Sequence, residues 1–465
     1  MSAGDVEGFA IDPTVVRAWK RYPAYKDSGV EWIGEVPAGW DVQKLKFTAR
    51  IKLSSVDKKS EDNEEDVRLC NYTDVYYNDR ITEDLEFMKA TASPEEITSF
   101  TLRQGDILIT KDSEDWKDIA VPAHVDEDLG SVLCGYHLAQ IRPDQKAVDS
   151  KYLFWSFNAR GVNHQFQIAA NGITRYGVGK YWIDNSSFLV PPLPEQHAIA
   201  AFLDRETARL DALIAKKQRF IELLGEKCQA LISHAVTKGL DPDVGMKDSG
   251  VEWLGEVPAG WEVLPLSARY QVRLGKMLDK KQISGDYLAP YLRNTNVQWG
   301  RLDLSDLYEM DFDPSERDYY SLKRGDLLVC EGGEVGRTAI WNEELSECYY
   351  QKAVHRVRAL SQKDLTHYLY YVMFAAAKIG VFEAGADIST ISHLTAIKLK
   401  KLRFPFPPYS EQSKIVDYLD SITNHHRKIA ESTKMSIEKL HEYRTALISA
   451  AVTGKIDVRG EGGAA

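Results

Sequence analysis

KDSGVEWIGEVPAGW occupies Lys26–Trp40, and KDSGVEWLGEVPAGW occupies Lys247–Trp261. Carried to Val42 and Val263, the two stretches agree at fifteen of seventeen positions and differ only at Ile33/Leu254 and Asp41/Glu262, both conservatively. A repeat, where present, decides the architecture, and three further landmarks keep the same order. LRQGDILIT (Leu102–Thr110) answers LKRGDLLVC (Leu322–Cys330) at an offset of 220. VPPLPEQ (Val190–Gln196) answers PPYSEQ (Pro407–Gln412), and ALISHAVT (Ala230–Thr237) answers ALISAAVT (Ala446–Thr453), both at 216. The chain is a tandem duplication of roughly 220 residues.

Each copy has two unlike parts. Before the Pro-rich punctuation, short β-branched and aromatic runs between Gly, Asn and Asp turns predict a mixed α/β domain. After it the pattern is helical, with Leu203, Leu210, Lys217, Leu224 and Leu231 recurring every seven residues and Leu213/Ile214 and Phe220/Ile221 between them. In the second copy Leu419, Ile422, Leu440 and Leu447 belong to the equivalent seam, interrupted by His426 and Thr433. Pro194 and Pro407-Pro408 mark the starts, because proline cannot continue a preceding element into a helix interior. The expected fold is mixed α/β (α+β): two globular domains in a tandem pseudo-twofold arrangement, separated by two long helices that form an antiparallel coiled coil. The expected segments are 1–190 for the first domain with an N-terminal extension, 191–240 for the first helix, 241–408 for the second domain, 409–456 for the second helix, and 457–465 for a disordered tail.

The 465 residues exceed a single core, and with 44% hydrophobic and 27% charged residues the composition is that of a soluble protein. No apolar run approaches the roughly 18 residues of a membrane span. MSAGDVEGFAIDP lacks a basic and an apolar signal region, so the expected location is cytoplasmic. The five cysteines are scattered without C-x-x-C spacing, and no metal site is expected. A net charge of −11 argues at first against nucleic acid, yet Leu345–Arg403 carries nine Lys/Arg against four Asp/Glu, so local basic patches remain.

Catalytic chemistry is hard to find. The Gly-Lys pairs in LGKML, VGKYW and TGKID lack the glycine-rich lead and following Ser/Thr of a phosphate-binding loop. FPPY offers Phe406 where an amino-methyltransferase needs Asp, Asn or Ser, and EGGEVG (Glu331–Gly336) fits no dinucleotide fingerprint. The DKK triplets at Asp57 and Asp279 sit in charged stretches without a strong strand around them, as a metal-dependent nuclease would need. The chain is expected to be non-catalytic.

Duplicated readers on a helical spacer, with TKDSEDWKDIAVPAHV, CGYHLAQIRP, GITRYGVGK and PPLPEQHAIAAFLD in the first half, resemble the DNA-specificity subunit of type I restriction-modification systems. LRNTNVQWGRLDLSDLYEMDF, GDLLVCEGGEVGRTAIW, YYQKAVHRVR and FPFPPYSEQSKIVDYLD carry the same resemblance in the second half. The resemblance covers essentially the whole chain. It implies that each globular part is a target recognition domain reading one half of a split double-stranded DNA site. It implies also that the helices fix the gap and dock two methyltransferase subunits, to which restriction/translocase subunits add. No cofactor is expected on this chain; the partner subunits would use S-adenosylmethionine, and ATP with Mg²⁺ for restriction. A coiled-coil scaffold whose domains bind protein or small ligands is the alternative, and a stand-alone restriction enzyme a third reading.

Polar and aromatic residues on glycine-rich loops are the candidate DNA contacts, since loops on a rigid scaffold carry binding. In the first domain they are Lys111, Asp112, Ser113, Trp116 and Lys117, then Thr174, Arg175 and Tyr176. In the second they are Arg293, Asn294, Asn296, Gln298 and Arg301, of the types that read guanine and adenine edges. Arg337, Lys352, His355, Arg356 and Arg358 are candidates for phosphates. Solvated loop arginines and turn-capping side chains would give the same patterns.

Overall fold

The computed structural model describes residues 19–277, 284–383 and 393–461. They fall into two compact units, one of Met1–Lys217 with Lys434–Ala465 and one of Gln218–Thr433. The long helices, Leu193–Lys238 and Tyr409–Val452, are each unbroken, so each unit takes the first part of one helix and the last part of the other. Among the described residues no helix is long and apolar enough to cross a membrane.

In the first unit the repeated phrase is a hairpin, with Tyr25–Asp27 antiparallel to Glu35–Pro37. Gly29 and Gly34 turn the chain at φ of 70° and 66°, where a Cβ would be opposed. The Asp27 carboxylate accepts from the Gly29 N–H at 2.9 Å. The second unit repeats this with Met246–Asp248 against Glu256–Pro258 and Asp248 accepting from Gly250 at 3.0 Å. The phrase closes on Trp40 or Trp261, each 1% exposed.

What the tryptophans cover explains the repetition. Gly454 ends the second long helix at φ 69°, and a Cβ there would lie 2.4 Å from Pro37 and 3.2 Å from Trp40. The Tyr25 hydroxyl donates to the Gly454 carbonyl at 3.0 Å. In the second unit the first long helix arrives instead: a Cβ on Gly239 would lie 3.4 Å from Trp261 and 3.6 Å from Pro258. The phrase is a socket for a helix end capped by a glycine of positive φ, and the chain has two such ends to hold.

The sheet frames repeat too. The first unit has a five-stranded sheet in the order Ala49–Leu53, Leu138–Pro143, Ile107–Thr110, Pro122–Val125, Arg80–Ile81, with only the last pair parallel. The second has a four-stranded antiparallel sheet, Tyr270–Leu274, Val354–Ala359, Leu327–Cys330, Thr338–Ile340. The Gly-Asp landmark enters the central strand of each. Asp106 is buried and accepts from Arg142 at 2.7 Å, as Asp326 does from Arg358 at 2.5 Å. A three-stranded sheet accompanies each: Val132–Cys134, Glu65–Cys70, Met88–Ala92 in one and Tyr308–Asp311, Leu288–Leu292, Tyr349–Tyr350 in the other.

The Pro-rich landmark is built around its glutamine. Gln196 is fully buried; its carbonyl accepts from the Asp149 N–H at 2.8 Å and its amide donates to the Ala147 and Pro191 carbonyls at 3.2 and 2.7 Å. Gln412 makes the matching bonds to Leu365, Lys363 and Pro407 at 2.8, 3.3 and 2.9 Å. The Tyr152 hydroxyl reaches the Leu189 and Val452 carbonyls at 2.9 and 3.4 Å, and Tyr368 those of Pro405 and Val236 at 3.3 and 3.2 Å. Gln412→Leu leaves a buried N–H and two carbonyls unpaired, so it should cost about 1–3 kcal/mol in chemical denaturation. A loss under a few tenths would show that the motif is mere punctuation.

Within each unit the two helix segments share the core. Leu203 and Leu210 are buried with Leu447 and Ile448, and Arg444 bridges Asp211 at 3.1 Å and Asp79 at 2.8 Å. In the second unit Ile232, Ala235 and Val236 are buried with Ile415, Val416 and Leu419. Leu224, Leu231, Ile422 and Leu440 are half-buried. Leu213 and Phe220, expected to fill the seam, are 42% and 47% exposed. At 100° per residue Leu213 cannot face inward with its neighbour Ile214, which does.

Of the expected disordered tail 457–465, Val458 is buried in the core and the Asp457 N–H donates to the Lys20 carbonyl at 2.8 Å. Residues 462–465 and the DKK triplet at Asp279 lie outside the described residues, whereas the triplet at Asp57 lies in an exposed stretch between strands. The five cysteines are free thiols, and burial pushes Cys348 up to about 12.

Candidate nucleic-acid interface

In the first unit the two candidate stretches meet. Asp112–Ser113 pairs antiparallel with Tyr176–Gly177, which places Lys111–Lys117 beside Thr174–Tyr176. The Arg175 loop is closed by reciprocal Asn171 and Gly177 backbone bonds at 3.0 and 2.9 Å. Gly172, at φ 151°, allows the turn, since a Cβ there would lie 1.8 Å from the Arg175 carbonyl.

One carboxylate organises the cluster. Asp112 pairs with the Arg175 guanidinium and with His137 Nδ1, each at 2.7 Å. Lys111 donates to the Ser54 carbonyl at 3.1 Å and lies 4.3 Å from the Tyr136 ring centroid. Burial lowers the Lys111 pKa, and Asp112 pulls it back up. Ser113 is buried against the Tyr72 hydroxyl at 3.0 Å. Trp116, Lys117, Thr174 and Arg175 are exposed, Tyr176 is half-buried, and Ile173 at the loop tip is 94% exposed.

His137, Tyr136 and the tyrosines of the helix Tyr72–Tyr76 were not candidates from sequence, yet they adjoin this cluster. The available signals were the run YTDVYYND and the phrase CGYHLAQ.

The second unit divides its candidates. Asn296 is buried and donates to the Asp303 and Asp306 carbonyls at 2.9 and 3.1 Å. Arg293 pairs with Asp306 at 2.7 Å over the Tyr308 ring, and Arg337 donates to the Asn294 carbonyl at 2.8 Å. Asn294 and Gln298 are half-buried, the latter donating to the Thr295 carbonyl at 2.8 Å. Arg301, which closes the hairpin opposite Gln298, and Lys352 are exposed and, among the described residues, in no ion pair.

Arg356 is 0% exposed, and its guanidinium donates to the Tyr319 and Ser321 carbonyls at 3.1 and 2.7 Å. Burial lowers its pKa. His355 is buried too, bonded to the Leu394 carbonyl at 2.6 Å, and Arg358 is held by Asp326. His355 and Arg356 therefore lie in the unit's interior, and Arg358 is half-buried at its edge. Among the described residues no group of three or more His, Cys, Asp or Glu side chains is arranged to hold a metal ion.

Comparison with known proteins places this frame. The chain matches the sequence model described as type I restriction modification DNA specificity domain twice, over residues 37–223 and 258–439. It is 24% identical over 337 residues to the type I restriction enzyme MjaVIII specificity subunit of Methanocaldococcus jannaschii, covering 69% of this chain and 74% of that one. Among solved structures, a chain from work on complex assembly and conformational transition of the type I R-M system aligns with a TM-score of 0.68 at 16% identity, covering 90% of this chain and 98% of that one. The HsdS subunit from Thermoanaerobacter tengcongensis aligns at 0.56 with the same identity and coverage. The structural likenesses establish the fold, and the two family matches, each covering a frame-and-loop domain and most of a long helix, settle membership: the chain belongs to the type I restriction modification DNA specificity family, with two specificity domains in tandem.

Proposed function

We propose that the chain is the non-catalytic subunit that gives a type I restriction-modification complex its DNA sequence, each globular domain reading one half of a bipartite site. The long helices then serve as spacers that dock two methyltransferase subunits. Those subunits use S-adenosylmethionine, and associated restriction subunits use ATP with Mg²⁺. One observation carries this reading. The two units share socket, buried glutamine and Gly-Asp strand, yet after that strand one continues KDSEDWK and the other EGGEVGR. A common scaffold with divergent loops is what two readers of different half-sites require.

Candidate contacts in the first domain are Lys111, Trp116, Lys117, Thr174, Arg175 and Tyr176, with Ser113 beneath them. In the second, Arg301, Gln298, Asn294 and Lys352 are the surface candidates, with Arg293 and Arg337 behind.

Arg175→Ala, assembled with its methyltransferase subunits, should lose about 1–3 kcal/mol of discrimination at one base position of one half-site, measured by anisotropy on duplexes varied there. An equal loss on every duplex would make Arg175 a phosphate contact. No loss on any would remove it from the interface.

A further inference from the structure

The second unit carries a charged surface that none of this uses. The helix Ala396–Lys401 holds Lys398, Lys400 and Lys401, all exposed, with Arg403 following. Thr395 caps the helix through its hydroxyl, which accepts from the Lys398 N–H at 3.3 Å. Leu399 is fully buried, and at 100° per residue this turns Lys398, Lys400 and Lys401 outward. Among the described residues none of the three lysines is in an ion pair.

The lead into this helix is fastened to a candidate loop. The Leu394 N–H donates to the Glu331 carbonyl at 2.8 Å, and the His393 ring lies 3.1 Å from where a Cβ on Gly332 would stand. The lysines thus follow directly on a segment tied to the loop that carries Arg337.

The first unit differs at this place. There, at the offset of 216, the helix Lys180–Asp184 presents Tyr181 and Trp182, and its Lys180 is neutralised by Asp184 at 2.7 Å. The cationic surface is therefore no part of the common scaffold. In a chain of net charge −11, three lysines within four residues that have no acidic partner among the described residues point to a polyanion as their ligand.

We infer that Lys398, Lys400 and Lys401 form a phosphate-binding ridge by which the second domain grips the DNA backbone beside its half-site. The inference rests on the DNA-specificity reading. Backbone contacts fix position and supply affinity without carrying sequence, so the ridge would strengthen binding to all duplexes alike.

The test is the triple variant K398Q/K400Q/K401Q in the assembled methyltransferase complex. Glutamine keeps helix propensity close to that of lysine. Binding to cognate and non-cognate duplexes is titrated between 50 and 200 mM salt. Each phosphate contact contributes about 0.9 to the slope of log K against log salt, so the variant's slope should fall by about 2–3. Its affinity deficit should then narrow by roughly 40-fold across that range. The ratio of cognate to non-cognate affinity should be unchanged.

An unchanged slope beside a wild type that binds specifically would overturn the ridge alone. Loss of complex assembly in size-exclusion chromatography, with the slope of the remaining complex unchanged, would also overturn it by assigning the lysines to an acidic protein surface. A wild-type complex without salt-sensitive, sequence-dependent binding would overturn the DNA reading itself.

Discussion

Trp40→Ala should lower the unfolding free energy by about 3–5 kcal/mol, and Trp261→Ala by a similar amount. Both indoles are buried at the end of a repeated hairpin, and both close over the glycine that ends a long helix. Truncation opens a cavity where hairpin, helix end and core meet. In the first unit it also removes the edge contact with Tyr22 at 5.6 Å between ring centroids. Urea denaturation followed by circular dichroism measures the cost, with Trp182→Ala as the control. Trp182 is exposed, and its loss should change stability by no more than about 0.5 kcal/mol. Equal costs for Trp40 and Trp182 would mean that the socket does not hold the helix end.

The repeat made the duplication legible, because the same socket was needed for each of two helix ends. The helices were legible from their seven-residue period and the prolines at their starts, and they run from Leu193 and Tyr409. The role of Gln196 and Gln412 was not, since a buried glutamine in a Pro-rich phrase reads like any polar loop residue. Nor could the cluster at Asp112 be seen. His137 and Arg175 lie far from it in sequence, and only sheet pairing brings them to one carboxylate.

The burial of Arg356 within its basic run was not legible for a related reason. The run occupies the strand Val354–Ala359, inside the four-stranded sheet, where Val354–Val357 are buried, Arg358 is half-buried, and the arginines at 356 and 358 serve carbonyls and Asp326. Local charge counts cannot tell a covered strand from an exposed one. Lys398, Lys400 and Lys401 make a comparably basic run but flank a single buried leucine on a short helix, which leaves them at the surface.

The division of labour between the domains predicts the largest functional effect. Asp41–Lys44 pairs antiparallel with Ser187–Val190, with Asp41 opposite Val190, so the first domain enters and leaves through one ladder. Glu262–Pro265 and Arg403–Phe406 bracket the second domain in the same way, Glu262 opposite Phe406. Ladder bonds are made by backbone, so a domain can be exchanged at this ladder while its hairpin socket and both helices stay in place. The measurement is methylation mapping of a host carrying the chain with Asp41–Val190 replaced by the equivalent segment of a relative. The predicted result is a bipartite motif in which one half has changed while the other half and the gap between them are kept. A motif changed in both halves, or in neither half in an active complex, would contradict the claim that each domain reads its own half of the site.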